Sequence, residues 1–356
     1  MTIYWLMFFT VFLFALIENP NYLQHQWNGF SSIKVSTLFF VIFLTLIIGY
    51  RSEIGADWGA YLHYVNRMEH TSFMVAMSYK DPGYQFLNYV SYHLGFGIFG
   101  VNLFSGLIFS LGLLIFCSKQ PRPFLSLLCS IPYLVIVVAM GYTRQGVAIG
   151  IVMLALTKKD IRSFCILVAF AALFHKSAVL LIPLAIALST KNKFLIYFVI
   201  SIAAVLAYFV LIQDSVDDLL YVYVEKEYQS SGAFIRVFMC AVPAILFLYF
   251  REKFTMEKQE KKLWSIFSLL SILCFCFLFL FSSTTTIIDR VALYLLPLQL
   301  VVFSYLPQVL EDNKTTKYLY IYAISFYYFL VQFVWLFFAN NAAAWLPYKF
   351  HPFTLL

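Results

Sequence analysis

The segment KVSTLFFVIFLTLIIGY, residues 34–50, runs directly into RSEIGADWGAY, residues 51–61. After Lys34 the first stretch carries no charged residue up to Arg51. A helix that is apolar on every face has no side to show to water. About 17–25 such residues cross a bilayer. The second stretch then places Arg51, Glu53 and Asp57 beside Trp58, immediately after the span. Charge at such a boundary is costly unless it is paired or wet.

The same alternation of apolar run and short polar connector fills the chain. Further candidate spans are 2–17, 98–117, 124–140, 144–157, 194–212, 234–250, 263–282, 288–306 and 318–338. The N-terminal run has no basic stretch before it and no small-residue cleavage site, so it reads as a retained helix. The expected fold is an all-α, polytopic transmembrane helical bundle of about ten spans, a single integral membrane domain over residues 1–356. Composition agrees: 62% of the 356 residues are hydrophobic and 12% are charged, against about 45–50% and about 25% in soluble domains. The 40 Phe and 25 Tyr add rings, and those of Tyr suit the membrane–water boundary.

Residues 163–188 break the pattern, with Phe174-His175-Lys176-Ser177 in the middle of an apolar stretch too short to cross twice. A re-entrant hairpin with its tip near His175 is expected. Such backbone is tolerated at depth where it lines a watery cavity.

Lys and Arg sort by side. One set of loops, which includes KQPRP, TKKDIR and STKNK, holds 15 of them, and the other holds 9. The richer set is cytoplasmic by the positive-inside rule, so both termini and the unusual polar residues face outward. The net charge of +7 is thus written into connectors rather than into a nucleic-acid-binding stripe. The six cysteines have no metal-ligand spacing and read as small buried hydrophobes. No Walker A loop, HExxH or DxD pair appears on the outward side, so no metal or cofactor is expected.

The outward set contains the residues suited to chemistry. From Asp57 a helix would place Asp57, Tyr61 and Tyr64 on one face. A carboxylate flanked by rings, with Trp58 adjacent, suits a sugar; the plain alternative is an N-cap at a membrane surface. Arg144-Gln145 opens a span. Its guanidinium either forks onto phosphate at a helix N-terminus or pairs with Asp57, Asp81 or Asp289. His175 can act as a base near neutral pH, and Lys176 can meet an anion. Asp289-Arg290 opens another span, and adjacent residues on a helix diverge, so each needs its own partner. Asp81-Pro-Gly-Tyr84 reads mainly as a turn before a helix.

Four motifs occur in order: Tyr50-Arg51 with Gly55-x-Asp57-Trp58-x-x-Tyr61; Pro82-Gly83-Tyr84 with Leu87-Asn88; Arg144-Gln145-Gly146-Val147-Ala148; and Phe174-His175-Lys176-Ser177-Ala178. With Pro347-Tyr348 near the end, this set resembles the EpsG family, Wzy-like polymerases of O-antigen, capsule and exopolysaccharide pathways. The resemblance implies transfer of a glycan from undecaprenyl pyrophosphate to a new lipid-linked repeat unit, at the outer face of a bacterial inner membrane. Such chemistry needs a base for the acceptor hydroxyl and cations for the departing pyrophosphate. Asp57 or His175 would be the base. Arg51, Arg144 and Arg290 would hold pyrophosphate, with Trp58, Tyr61, Gln145, Lys176 and Asp289 lining the substrates. The implied partners are undecaprenyl-pyrophosphate-linked oligosaccharides, membrane lipid and a chain-length regulator, with no nucleic acid. Two other readings fit the residues: a single-transfer glycosyltransferase or ligase using the same donor, and a flippase for the lipid-linked oligosaccharide. The lack of an internal repeat and the one-sided polar residues favour the enzyme over the flippase.

Overall fold

A computed structural model describes residues 1–18, 35–189, 232–280, 285–310 and 314–354. In these the chain is helical almost throughout. The opening helices are α1 (Thr2–Ile17), α2 (Val35–Gly49), the short α3 (Trp58–Asn66) and α4 (Phe73–Ser78), and α5 (Pro82–His93). Next come α6 (Gly97–Ser118), α7 (Pro123–Ser130) running into a π-helix (Ile131–Ala139), α8 (Thr143–Leu156), α9 (Ile161–Ala172) and α10 (Ile182–Ser189). The last are α11 (Ala233–Tyr249), α12 (Lys258–Leu280), α13 (Thr285–Leu295), α14 (Pro297–Val309), α15 (Lys314–Phe338) and the terminal α16 (His351–Thr354). A two-stranded antiparallel ribbon pairs β1 (Arg51–Ser52) with β2 (Lys349–Phe350).

Among the described residues, four helices are long and apolar enough to cross a membrane: Gly97–Ser118, Lys258–Phe279, Ile288–Val309 and Tyr318–Phe338. Seven further apolar helices among the described residues are shorter, at 10–17 residues. Among these, α8 is buried along nearly its whole length. The expected span 194–212 and nearly all of the loop 213–233 lie outside the described residues.

The exposed side chains show what surrounds the bundle. On α1, Tyr4, Phe8, Val11 and Ala15 are buried, while Leu6, Phe9, Leu13 and Ile17 are exposed. Both stripes are apolar, so the outer one has only lipid as a suitable solvent. Inside, helices approach closely at glycine. A Cβ on Gly112 of α6 would lie 1.9 Å from the Gly150 carbonyl oxygen of α8. Small residues permit this approach, which is how helices associate where lipid offers no hydrophobic drive.

Contacts sort the described loops into two sets. Connectors meet connectors: Lys159 Nζ pairs with Glu257 at 2.6 Å, and Lys262 Nζ donates to the Leu188 carbonyl at 3.2 Å. Motif loops meet motif loops and the chain ends. The Tyr4 hydroxyl donates to the Trp345 carbonyl at 2.8 Å, and Gly55 N–H to Ala344 at 2.9 Å. α9 and α10 pack against each other. Their far ends, Phe164 and Ala185, line one pocket with Lys158 and Leu263, and the turn between them reaches the motif loops. The stretch 163–188 is therefore a helical hairpin with His175 at its tip.

This arrangement makes a labelling prediction. In a chain freed of its six cysteines, a single Cys at exposed Ala60 should react with an impermeant thiol reagent in intact cells. Single Cys residues at exposed Lys159 and Lys258 should not. Labelling at Lys258 and none at Ala60 would invert the orientation.

Candidate functional site

The site is built around a residue that the sequence marked mainly as a turn. Asp81 has φ 59° and ψ 63°, a left-handed conformation that Asp tolerates better than most residues. Pro82 then starts α5. Gly83 follows, and its N–H donates to the Leu173 carbonyl at 2.8 Å. A Cβ at Gly83 would sit 3.0 Å from the Leu173 side chain. The bare glycine thus lets the hairpin tip press against the start of α5.

That approach delivers three groups to the Asp81 carboxylate, which is 4% exposed. Arg144 Nη1, from the first turn of α8, lies 2.8 Å from Oδ2. The Lys176 backbone N–H donates to Oδ1 at 3.2 Å. His175 Nδ1 lies 3.8 Å from Oδ2, beyond hydrogen-bond reach. This buried ring nitrogen has no hydrogen-bond partner among the described residues. Ser177 closes the tip through a 3.0 Å hydroxyl contact with Tyr294 of α13.

Arg144 also ties this hub to α3. Its guanidinium interacts with the Tyr61 phenol and lies 5.5 Å from the Tyr64 ring centroid. Burial pushes the Tyr61 hydroxyl up to about 12, an effect that Arg144 opposes. Asp57 caps α3 by position only, since its side chain makes no cap hydrogen bond. The N-cap alternative therefore does not account for this carboxylate. The surrounding protein raises its pKa above the usual carboxylate value, and Arg144 and Arg290 pull it back down. Both guanidiniums thus act on Asp57. Among the described residues, the Arg290 side chain makes no hydrogen bond or ion pair. Its backbone carbonyl accepts from Gln145 Nε2 at 3.3 Å, which links the α8 and α13 motifs.

Asp57, Tyr61, Arg144, Gln145, His175, Lys176 and Arg290 therefore converge. Three other candidates are placed differently. Arg51 is 1% exposed. Its guanidinium donates to the carbonyls of Met140 (2.9 Å) and Ile48, to Asn102 Oδ1 (3.1 Å) and to Thr143 Oγ1 (2.8 Å). With these nitrogens taken up by protein, Arg51 joins α2, α6 and the start of α8 and presents no fork to a ligand. Trp58 packs on Phe99, ring centroids 6.2 Å apart. Asp289 turns away from Arg290 and pairs with Arg236 of α11 at 2.5 Å, as the divergence of adjacent helical residues requires. Tyr61 is itself buried, its ring 5.7 Å from that of Tyr84, so stacking on a sugar falls to the half-buried Tyr64.

The end of the chain braces the cluster from behind. Trp345 Nε1 donates to the Ile136 carbonyl at 2.7 Å in the π-helix. A Cβ on Gly141 would lie 2.3 Å from the Trp345 ring. Tyr348 donates to the Ile47 carbonyl at 2.6 Å. A π-helix two residues before Gly141-Tyr-Thr-Arg144 is a frequent mark of a functional site.

The helices and their lipid-facing surface define an integral membrane protein with a charged cluster at one end of its bundle. The EpsG family matches residues 34–350, nearly the whole chain, and the protein belongs to that family. The family places it among polymerase-like membrane proteins of exopolysaccharide and O-antigen synthesis. No curated protein and no solved structure matches the chain.

Proposed function

We propose that the protein is a repeat-unit polymerase that moves a glycan from undecaprenyl pyrophosphate to a hydroxyl of a new lipid-linked repeat unit. The reaction takes place at the outer face of a bacterial inner membrane, in a bundle of about ten spans whose 163–188 hairpin is re-entrant. The observation that carries this reading is the Asp57 carboxylate. It makes no cap hydrogen bond and lies within the influence of both Arg144 and Arg290.

In this mechanism Asp57 takes the proton of the acceptor hydroxyl as the new glycosidic bond forms. Arg290, and the edge of Arg144 not bound to Asp81, meet the pyrophosphate as its bond to the sugar breaks and its charge grows. His175 donates to a phosphate oxygen. Asp81 holds the tip and Arg144 in register, and Tyr64 offers a ring to a pyranose. Arg51 acts only through the loops it joins. Arginines alone can hold the pyrophosphate of a donor that is already anchored in the membrane. The one-sided placement of these groups supports an enzyme over a flippase, whose polar groups would line both halves of a path. A single-addition product, in place of a ladder of chain lengths from purified protein, would select the single-transfer alternative.

The pH profile tests the base. A base works only when deprotonated, so activity rises with pH through the Asp57 pKa. That pKa is raised, so the acidic limb of kcat/KM should lie above the ordinary Asp value of about 3.9. Arg290→Gln removes a cation that favours the charged carboxylate, so its limb should move to higher pH. An identical limb in wild type and Arg290→Gln would separate Asp57 from Arg290.

A further inference from the structure

The other end of α8 holds a cavity that the proposed reaction does not use. It has a volume of about 170 Å³ and lies among the ends of α6, α8, α10, α12 and α14. α8 is 14 residues long, so at 1.5 Å per residue the cavity lies roughly 20 Å from Arg144.

Three cations converge there. Lys119 follows α6, and Lys158 and Lys159 follow α8. Burial holds the Lys119 ammonium below its usual value, Lys158 and Lys159 lower it further, and Glu260 opposes them. These lysines therefore repel one another across a partly desolvated space. Two carboxylates share the lining, Glu257 and Glu260. Glu257 is occupied by Lys159 at 2.6 Å. Against two carboxylates, three lysines leave one positive charge over. Among the described residues Lys158 makes no ion pair. The inner wall is apolar and aromatic, with Phe116 and Trp264 in edge contact at 6.0 Å and Tyr305 beside them.

Cations at the entrance and rings beneath match an anion that carries an apolar tail. Basic pockets between membrane helices on the cytoplasmic side take lipid headgroups in this way. We propose that this cavity is a second phosphate site, which binds the headgroup phosphate of an anionic lipid through Lys119 and Lys158 and rests its glycerol and first methylenes on Trp264 and Tyr305.

The full-length protein in nanodiscs tests this. Replacing phosphatidylcholine with phosphatidylglycerol should raise the melting temperature by about 2–4 °C. The rise should fall by more than half in Lys119→Gln/Lys158→Gln and persist in Lys158→Arg. Inorganic phosphate, added in phosphatidylcholine, distinguishes the source. An equal rise that is lost in the double variant keeps the site and makes its ligand a soluble phosphate. Lys158→Gln alone changes an exposed side chain, and it serves if the double variant fails to fold. No rise with either probe, or the same rise in wild type and Lys158→Gln, overturns the proposal.

Discussion

Asp57→Asn should leave a protein that folds and binds both lipid-linked substrates, yet elongates about 10²–10⁴-fold more slowly, the usual contribution of a positioned general base. The fold should tolerate the change because the native carboxylate makes no cap hydrogen bond. An amide of the same shape removes the charge that Arg144 and Arg290 act on but breaks no hydrogen bond among the described residues. Loss of rate with retained binding is therefore a statement about proton transfer. The measurement is chain elongation by purified protein with lipid-linked oligosaccharide as donor and acceptor. A variant that elongates at the wild-type rate would pass the role of base to His175, whose buried Nδ1 has no hydrogen-bond partner among the described residues. His175→Gln keeps a donor and should retain part of the activity if the ring binds phosphate.

Arg144→Lys should insert normally and lose about 10²-fold in rate, the loss expected when one donor to a developing oxyanion is removed. Arg144 does two things at once: it pairs with Asp81 at 2.8 Å and reaches Tyr61. A lysine ammonium is a point charge without a planar fork, so it can keep the Asp81 pair and not the second reach. A double reversal, Arg144→Asp with Asp81→Arg, separates structure from chemistry. Breaking a buried pair from one side strands a charge and costs about 3–5 kcal/mol, so each single reversal should lower yield. The double reversal should recover part of the yield, because an arginine at position 81 suits the left-handed backbone less well and cannot accept the Lys176 N–H. It should stay inactive, because the guanidinium no longer issues from the start of α8. Recovery of activity together with yield would reduce Arg144 to a structural partner.

Several parts of the site are legible in the amino-acid sequence alone. Lys34 to Tyr50 announces a lipid-facing helix, since no soluble surface can be made from it. Asp57 as the residue before a helix, the divergence of Asp289 from Arg290, and the break at His175 all follow from local geometry and the cost of charge in lipid. The family is legible in the ordered motifs, and the match over residues 34–350 bears it out.

Other parts depend on contacts between distant segments. Asp81 looks like a turn residue because its local role is a turn; its carboxylate gains its partners from residues 63 and 95 positions away. Arg51 looks like a phosphate ligand because an arginine after a membrane span is unusual. Only packing shows four protein oxygens around it. Arg236 carries no motif, and it matters only because α11 and α13 are adjacent. Likewise, Lys119 and Lys158 read along the chain as topology signals, and only packing brings the ends of their helices around one cavity.

The sequence by itself determined the solvent, the helical class and which end of the bundle collects unusual charge. These depend on side-chain transfer energies and short-range periodicity, which are properties of the chain taken locally. The tertiary structure alone decided which charges pair and which remain available. A buried charge takes whatever partner packing brings within about 4 Å, and that choice is made between helices far apart in the chain.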